Sequence, residues 1–228
     1  MKFTNSLIKG KLVKRYKRFF VDIEVNNKTI TAHCPNTGSM MGLLDHGNEV
    51  WVSPNDNPNR KLKFTLEMIK VNKSLIGVNT HRANRIVEDG LKNKLLEEFK
   101  KVKKIKPEFK YSDDTRFDFL CDDNIIEVKN VTLTRDKYLA EFPDAPTARG
   151  IKHLNMLIKS KQKKYKPYVL FLTQIENIKY FKIASDIDKE YFENYKKAKK
   201  AGVKFLAYKC KLDSKEIKIE KKIKILDD

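Results

Sequence analysis

Two apolar runs flank an acidic turn in the segment Arg116-Phe117-Asp118-Phe119-Leu120-Cys121-Asp122-Asp123-Asn124-Ile125-Ile126-Glu127-Val128-Lys129. Short apolar runs on both sides of such a turn are typical of a β-hairpin. Glu127 and Lys129 are two residues apart in the second strand, so their side chains leave the same face. If Asp118 lies on the first strand at the matching height and face, three charged groups converge.

Two carboxylates and a lysine suit metal-assisted chemistry on phosphate esters. Asp118 and Glu127 can hold Mg²⁺ or Mn²⁺, which take oxygen ligands. Lys129 can orient or help deprotonate the attacking water, while the metal stabilises the charge that develops on the phosphate. The alternative is a pair of surface salt bridges on a lysine-rich protein. Glu127 lies inside an apolar run, where an unpaired charge is costly, and this position favours the metal site.

The residues around this hairpin alternate between helical and strand patterns. Apolar residues at spacings of three and four predict one long helix over 83–99, a second helix that begins at Arg149, and a third over 188–201. Strands are predicted at 109–111, 116–121, 124–130, 168–173 and 203–208, and a lysine-blunted edge strand at 216–226. The run at 168–173 is continuously apolar, which fits a strand buried on both faces.

The first 80 residues have a different pattern of short alternating runs separated by turns, at 17–25, 29–34, 49–53, 63–69 and 74–78. Five short strands in this length favour a five-stranded oligonucleotide-binding (OB) barrel. We therefore predict an α+β protein with an OB-like barrel over 1–80 and an α/β domain over 81–228.

Composition narrows the class of protein. The 228 residues carry a formal net charge of +19. So large a positive charge is typical of proteins that bind a polyanion such as nucleic acid, although the high lysine content also fits a coding bias. No run of eighteen apolar residues is present, which excludes a transmembrane helix, and the first residues do not form a secretory signal. Cys34, Cys121 and Cys210 are far apart without a CxxC pair, so we expect reduced thiols and a cytoplasmic protein.

Two resemblances extend this interpretation. An acid followed about nine residues later by acid-x-lysine, set in the order helix, three strands, helix, strand, resembles the PD-(D/E)xK (restriction endonuclease-like) nuclease superfamily. The segments 33–40, 127–133 and 142–154 are similar to signature stretches of the sugar fermentation stimulation protein family (SfsA), and the likeness extends from Lys14 to about Tyr208. Membership implies an N-terminal OB barrel, a C-terminal PD-(D/E)xK-like domain and non-specific DNA binding. It matches Asp118, Glu127 and Lys129 to the nuclease motif, and Glu88 to a further acid supplied by some superfamily members.

The segment before the second helix supplies two more candidates. A helix N-terminus attracts phosphate, and Arg149 and His153, four residues apart, share one helical face. We expect Arg149 to contact the scissile phosphate. His153 is a candidate nucleic-acid contact, and the alternative is a buried histidine with a structural role.

The barrel supplies the remaining candidates. Cations and aromatics interleave at Arg15, Lys17, Arg18 and Phe19, a pattern that suits phosphate contact and base stacking, or else an amphipathic strand with one wet face. His33 and Asn36 lie in a loop with Pro35 and Gly38. Both could contact a phosphate or base, and the alternative is a turn in which Asn36 and Thr37 bond their own backbone.

The expected function is therefore DNA binding with Mg²⁺- or Mn²⁺-dependent phosphodiester hydrolysis. The rival is a non-catalytic, non-specific DNA-binding regulator that keeps the nuclease fold. The sequence does not distinguish DNA from RNA, because no residue pattern in it is specific for contacts with 2′-hydroxyl groups. A homodimer is one of the oligomeric states that the sequence allows.

Overall fold

A computed structural model describes residues 1–226. The first six strands form one sheet, in the order β3-β2-β1-β4-β5-β6. Their bounds are β1 (Ile8–Tyr16), β2 (Phe20–Val25), β3 (Lys28–His33), β4 (Glu49–Pro54), β5 (Phe64–Val71) and β6 (Ser74–Gly77).

The predicted five-stranded barrel is confirmed, with a different set of strands. A parallel bridge between His33 and Thr65 joins β3 to β5 and closes a ring of β1 to β5, while β6 extends it as a hairpin partner of β5. The prediction missed β1, where only Leu12 is fully buried between half-exposed and exposed neighbours. A strand with so little apolar content carries a weak pattern, and pairing with both β2 and β4 stabilises it.

The long helix predicted over 83–99 is wrong in its length. Helix α1 (Ala83–Lys92) ends at Asn93, and Lys94 takes a left-handed backbone with φ +57°. A 3₁₀ turn, Glu97–Phe99, follows. The turn still buries Leu96 and Phe99 in the core that holds α1, so the apolar spacing is satisfied without a continuous helix.

The C-terminal part is built on a six-stranded sheet in the order β15-β14-β12-β9-β8-β7. Its central strands, β9, β12 and β14, are parallel. The prediction of a strand buried on both faces is confirmed, because every residue of β12 after its first is buried. The bounds are β7 (Ile105–Lys110), β8 (Arg116–Cys121), β9 (Asn124–Val131), β12 (Lys166–Thr173), β14 (Lys204–Leu212) and β15 (Ile217–Lys222).

Helices cover both faces of this sheet. Alternate residues of β12 enter two cores: Leu170 packs with α1, and Phe171 packs with α2 (Ala148–Ser160) and α3 (Lys189–Lys200). The predicted terminal edge strand is split. Its first part is β15 at the sheet edge, and its second is β16 (Lys224–Ile225), which joins a small sheet in the order β10-β11-β13-β16. The other members are β10 (Leu133–Asp136), β11 (Leu139–Phe142) and β13 (Tyr180–Ile183). Across residues 1–226, no helix has the length and apolar content needed to span a membrane.

Candidate active site and nucleic-acid interface

Asp118 lies where β8 separates from β9. The antiparallel pairing runs from Cys121–Asn124 to Phe119–Ile126 and stops there. Continuing the same register sets Asp118 opposite Glu127, as the hairpin pattern predicts. The Asp118 carboxylate replaces the missing ladder bond: its Oδ2 accepts from the Val128 backbone N–H at 2.7 Å, and its Oδ1 accepts from Asn84 Nδ2 of α1 at 2.7 Å. Burial, followed by the negative charge of Glu127, raises the Asp118 pKa to about 6.

Glu127 is 4 % exposed and sits between the sheet and α2. Its Oε1 accepts from Lys129 Nζ at 2.7 Å and also contacts His153 Nδ1. Burial acts to raise its pKa, but Lys129 and His153 outweigh that effect and hold the pKa below its ordinary value. Glu127 Oε2 is buried and has no hydrogen-bond partner within residues 1–226. A buried carboxylate oxygen without a donor is an unsatisfied acceptor, the kind of atom that a cation or an ordered water satisfies.

Tyr191 of α3 borders the same region. Its side chain is fully buried, and its hydroxyl has no partner in the described part of the chain. Burial and then the nearby charge of Glu127 raise its pKa. The sequence pattern of α3 gave no reason to select Tyr191 as a candidate site residue, because an aromatic residue on the apolar face of a helix is usually part of the hydrophobic core.

The carboxylates of this site fit a divalent cation. Asp118 is half-buried and Glu127 is buried, a cation relieves their mutual repulsion, and Mg²⁺ is commonly bound through one or two carboxylates with retained waters. Within residues 1–226, no group of three His, Cys, Asp or Glu side chains could hold a metal. Glu88 lies one helical turn after Asn84 and pairs with Lys92 at 2.5 Å. The residues therefore fit a two-carboxylate site, to which the structure does not bring Glu88.

The first turns of α2 carry the two predicted residues of that helix. Thr147 caps α2 through its Oγ1, which accepts from the Gly150 backbone N–H at 3.1 Å. Arg149 is exposed, whereas His153 is 8 % exposed and turned towards Glu127. Both line a cleft of about 380 Å³ that also takes in Arg116 of β8. Of the two alternatives for His153, this contact favours a structural role beside the carboxylate.

The turn between β1 and β2 presents Lys17, Arg18 and Phe19 outwards. Lys17 and Arg18 have φ angles of +48° and +60°, and Phe19 is 47 % exposed. Arg15 braces this turn, since its Nε donates to the Arg18 carbonyl at 3.1 Å. Two cations flanking an exposed aromatic ring suit phosphate contact with base stacking.

Comparison with known proteins gives two matching profiles. The "Sugar fermentation stimulation protein RE domain" matches residues 81–216, and the "SfsA N-terminal OB domain" matches residues 13–78. A sugar fermentation stimulation protein homolog of Pelagibacter ubique is 62 % identical over 231 residues, with both chains covered in full. A homolog of Pseudoalteromonas atlantica is 39 % identical and covers 99 % of this chain and 100 % of its own. This chain belongs to the sugar fermentation stimulation protein family.

A solved member of the SfsA family shares the fold. It is described as the structure of Pyrococcus furiosus SfsA in complex with Ca²⁺, and it matches with a TM-score of 0.88 over 100 % of this chain and 98 % of the other. The two sequences are 22 % identical. At this identity the likeness establishes the fold.

The three segments that carry the resemblance to SfsA meet in space. Glu127, from segment 127–133, contacts His153, from segment 142–154. Gly38, from segment 33–40, lies so close to Asp144, which also belongs to segment 142–154, that a Cβ there would stand 2.1 Å from its Oδ2. The segments therefore form one wall between the barrel and the nuclease-like domain.

Within that wall, Arg15 and Asn36 are engaged in holding the loop. The Arg15 guanidinium donates to the carbonyls of Asn36 at 2.7 Å and Gly38 at 3.2 Å. Asn36 is 3 % exposed, and its Oδ1 accepts from the Gly38 backbone N–H at 2.8 Å. Of the alternatives for Asn36, the structure favours the turn. His33 is half-buried and contacts Arg60 at 3.4 Å through Nδ1.

Proposed function

We propose that this SfsA-family protein binds DNA and hydrolyses phosphodiester bonds at a divalent-cation site formed by Asp118 and Glu127. The observation that carries the proposal is the pair of carboxylates at the splayed ends of β8 and β9, Glu127 buried and Asp118 half-buried, with Lys129 on the same face. A protein that only binds a polyanion gains nothing from two adjacent carboxylates with little access to water. Burying them is costly unless a cation compensates.

Mg²⁺ or Mn²⁺, when bound, would lower the pKa of a coordinated water and stabilise negative charge on the phosphate. Asp118 and Glu127 would hold it, and Glu127 Oε2 is the oxygen available for this role. That a relative of the same fold is described in complex with Ca²⁺ makes a divalent cation the first ligand to test.

Three further side chains would orient the attacking water, position Glu127 and contact the scissile phosphate. Lys129 places its ammonium group beside Glu127, where it can orient the attacking water. His153 holds Glu127 through Oε1 and leaves Oε2 as the oxygen without a hydrogen-bond partner within residues 1–226. Arg149, exposed on the adjoining helix turn, can pair with the scissile phosphate through its guanidinium fork. Water attacks phosphorus, the ester oxygen leaves as a hydroxyl, and the phosphate remains as a monoester.

We assign binding of the nucleic-acid strand to the positively charged surface at the turn between β1 and β2. Lys17, Arg18 and Phe19 at the barrel turn would contact phosphates and stack a base. Arg15 and Asn36 are left out of this surface because the loop engages their polar groups. Cys34, Cys121 and Cys210 are buried free thiols, which supports the proposed cytoplasmic location.

The test compares wild type with Asp118→Asn and Glu127→Gln. Cleavage of a labelled DNA duplex and of a single strand is measured with Mg²⁺ and with Mn²⁺, and metal binding is measured by calorimetry on the same samples. We expect each variant to lose cleavage by about 100-fold or more, to lose metal binding, and to keep DNA binding in EDTA. Asp123→Asn is the matched control, because it removes an exposed acid from the same hairpin.

The rival function is that of a DNA-binding regulator without catalysis. The observation in its favour is that residues 1–226 assemble no third acidic or imidazole ligand. Wild type that binds DNA but neither binds metal nor cleaves would refute the nuclease proposal and support this rival. Cleavage of RNA in preference to DNA would correct the substrate class.

A further inference from the structure

A cleft of about 430 Å³ lies between the barrel and the start of α1, away from the carboxylate pair. The N-terminal segment at Phe3, the end of β3 at His33, the segment after β4 at Arg60 and the first turn of α1 contribute its walls. Arg82 and Arg85, three residues apart, bring two guanidinium groups to one wall, and His81 adds an imidazole. The cleft thus gathers three arginines and two histidines.

Two of these arginines have little else to bind. The only hydrogen bond of the Arg60 guanidinium within residues 1–226 is the 3.4 Å contact with His33 Nδ1, and the Arg85 side chain makes none there. Among the described residues that line the cleft, the one acid is Asp56, which is exposed and accepts from Asn5 Nδ2 at 3.0 Å. Two arginines without carboxylate partners leave the cleft with an excess of positive charge.

The third arginine is held in a fixed position. Glu67, which is 0 % exposed, accepts from Arg82 Nη2 at 2.6 Å and Nε at 3.1 Å. It also accepts from the Ser53 hydroxyl at 2.7 Å and from Asn79 Nδ2 at 2.9 Å. This pairing uses two of the five guanidinium N–H groups, so the others remain available to a ligand. The Glu67 network therefore builds a rigid wall before any ligand arrives.

The electrostatic environment of His33 reflects the same positive charge. Burial lowers the pKa of His33, and the charges of Arg60 and His81 lower it further. Burial is the larger cause, and only the part of the shift that comes from Arg60 and His81 marks positive charge beside the imidazole, which favours an anion. A neutral imidazole still offers a hydrogen bond to a phosphate oxygen.

We propose that this cleft binds a phosphate group of a nucleic-acid strand, through Arg60, Arg82 and Arg85. Guanidinium forks match phosphate oxygens in pairs, and the Arg82 guanidinium lies over the Phe3 ring, 5.9 Å from its centroid. The inference rests on the proposed nucleic-acid binding and adds a phosphate subsite to it.

The position of the cleft links it to the candidate active site. Asn84, which holds Asp118, stands between Arg82 and Arg85 in the chain. Successive helical residues advance by about 1.5 Å, so the cleft adjoins the turn of α1 from which Asn84 donates to Asp118. The subsite would therefore set the position of the strand relative to the bond that is cut.

The test uses a 3′-labelled single-stranded oligonucleotide in two forms, with a 5′-phosphate and with a 5′-hydroxyl. Binding is followed by fluorescence anisotropy in EDTA, so that cleavage does not contribute. The variant is Arg60→Ala/Arg85→Ala, which leaves the buried pair of Glu67 and Arg82 intact. Lys101→Ala/Lys103→Ala is the matched control, since it removes the same charge from exposed positions.

We expect the arginine variant to bind about tenfold more weakly than wild type, and the control variant to change by less than about twofold. The slope of log affinity against log salt should fall by about 0.7, the value for one phosphate contact on a single strand. Thermal unfolding of both variants verifies that the fold is retained. A larger loss with the 5′-phosphate form identifies a terminal monoester as the ligand, and equal losses identify an internal diester.

Two results would overturn the inference in different ways. If wild type binds and the arginine variant matches the lysine control, the cleft is not a phosphate subsite, and the proposed function stands. If wild type binds neither oligonucleotide, nucleic-acid binding itself fails and the subsite fails with it.

Discussion

Replacing Asp118 with asparagine should make the metal-free protein more stable at neutral and alkaline pH. Asp118 is half-buried near Glu127, and its pKa is raised from 3.8 to about 6. A carboxyl with a raised pKa destabilises the folded state once it must ionise there. Below about pH 3.8 the Asp118 carboxyl is protonated in both states and the folded protein keeps its full stability. As the pH rises through about 6, the carboxyl must ionise in the folded state and that stability is lost.

The magnitude follows from this shift. One pKa unit corresponds to about 1.4 kcal/mol, so the ionised Asp118 carboxyl costs the folded protein about 3 kcal/mol at about pH 8, and roughly half of that at about pH 5. Asparagine is neutral and can keep both contacts. Its Oδ1 can accept from the Val128 N–H, and its Nδ2 can donate to the Asn84 amide after that amide flips.

The assay is urea unfolding of wild type and Asp118→Asn in EDTA at several pH values, with Asp123→Asn as the control for an exposed acid. We expect the Asn variant to gain about 3 kcal/mol at the alkaline end and to converge with wild type at the acid end. Adding Mg²⁺ should stabilise wild type and leave the variant unchanged. A variant that is less stable than wild type at about pH 8, or a difference that does not depend on pH, would refute the reasoning.

Three further outcomes are expected. Phe19→Ala should weaken single-strand binding by about 5- to 100-fold through lost stacking, whereas Met41→Ala, which trims another exposed apolar side chain, should not; equal effects in anisotropy would contradict the stacking role. Arg149→Ala should reduce cleavage by at least about tenfold with the unfolding midpoint unchanged, and an unaltered cleavage rate would remove Arg149 from the phosphate. Arg82→Ala should lower the free energy of unfolding in urea by about 3–5 kcal/mol, because it leaves Glu67 buried without its cation. Glu67→Gln in the same background should recover part of that loss. If it recovers none, lost packing and not the unpaired charge causes the destabilisation.

The candidate site shows which parts of the arrangement local pattern can predict. The placement of Asp118 opposite Glu127 follows from the hairpin, because a short turn sets the register of its two strands. The orientation of Lys129 beside Glu127 follows from the two-residue period of a strand. The contact between His153 and Glu127 does not follow, because it depends on how α2 packs across β9 and β12.

The errors in the predicted elements have the same origin. The apolar residues that suggested a helix over 83–99 are buried as expected. The helix nevertheless ends before Lys94, whose left-handed backbone starts a turn that brings Leu96 and Phe99 into the core. The strand β1 has too few apolar residues to be recognised alone, and its two neighbouring strands stabilise it.

The amino-acid sequence by itself determined the barrel and the nuclease-like sheet, the acid-acid-lysine motif and the family. These depend on period, turn chemistry and motif spacing, which are local properties of the chain. Tertiary structure alone decided that Asn84 holds Asp118, that Tyr191 borders Glu127, and that Arg60 joins Arg85 in one cleft. Those contacts join segments far apart in the chain, and they form only when helices and strands bury their apolar faces against one another.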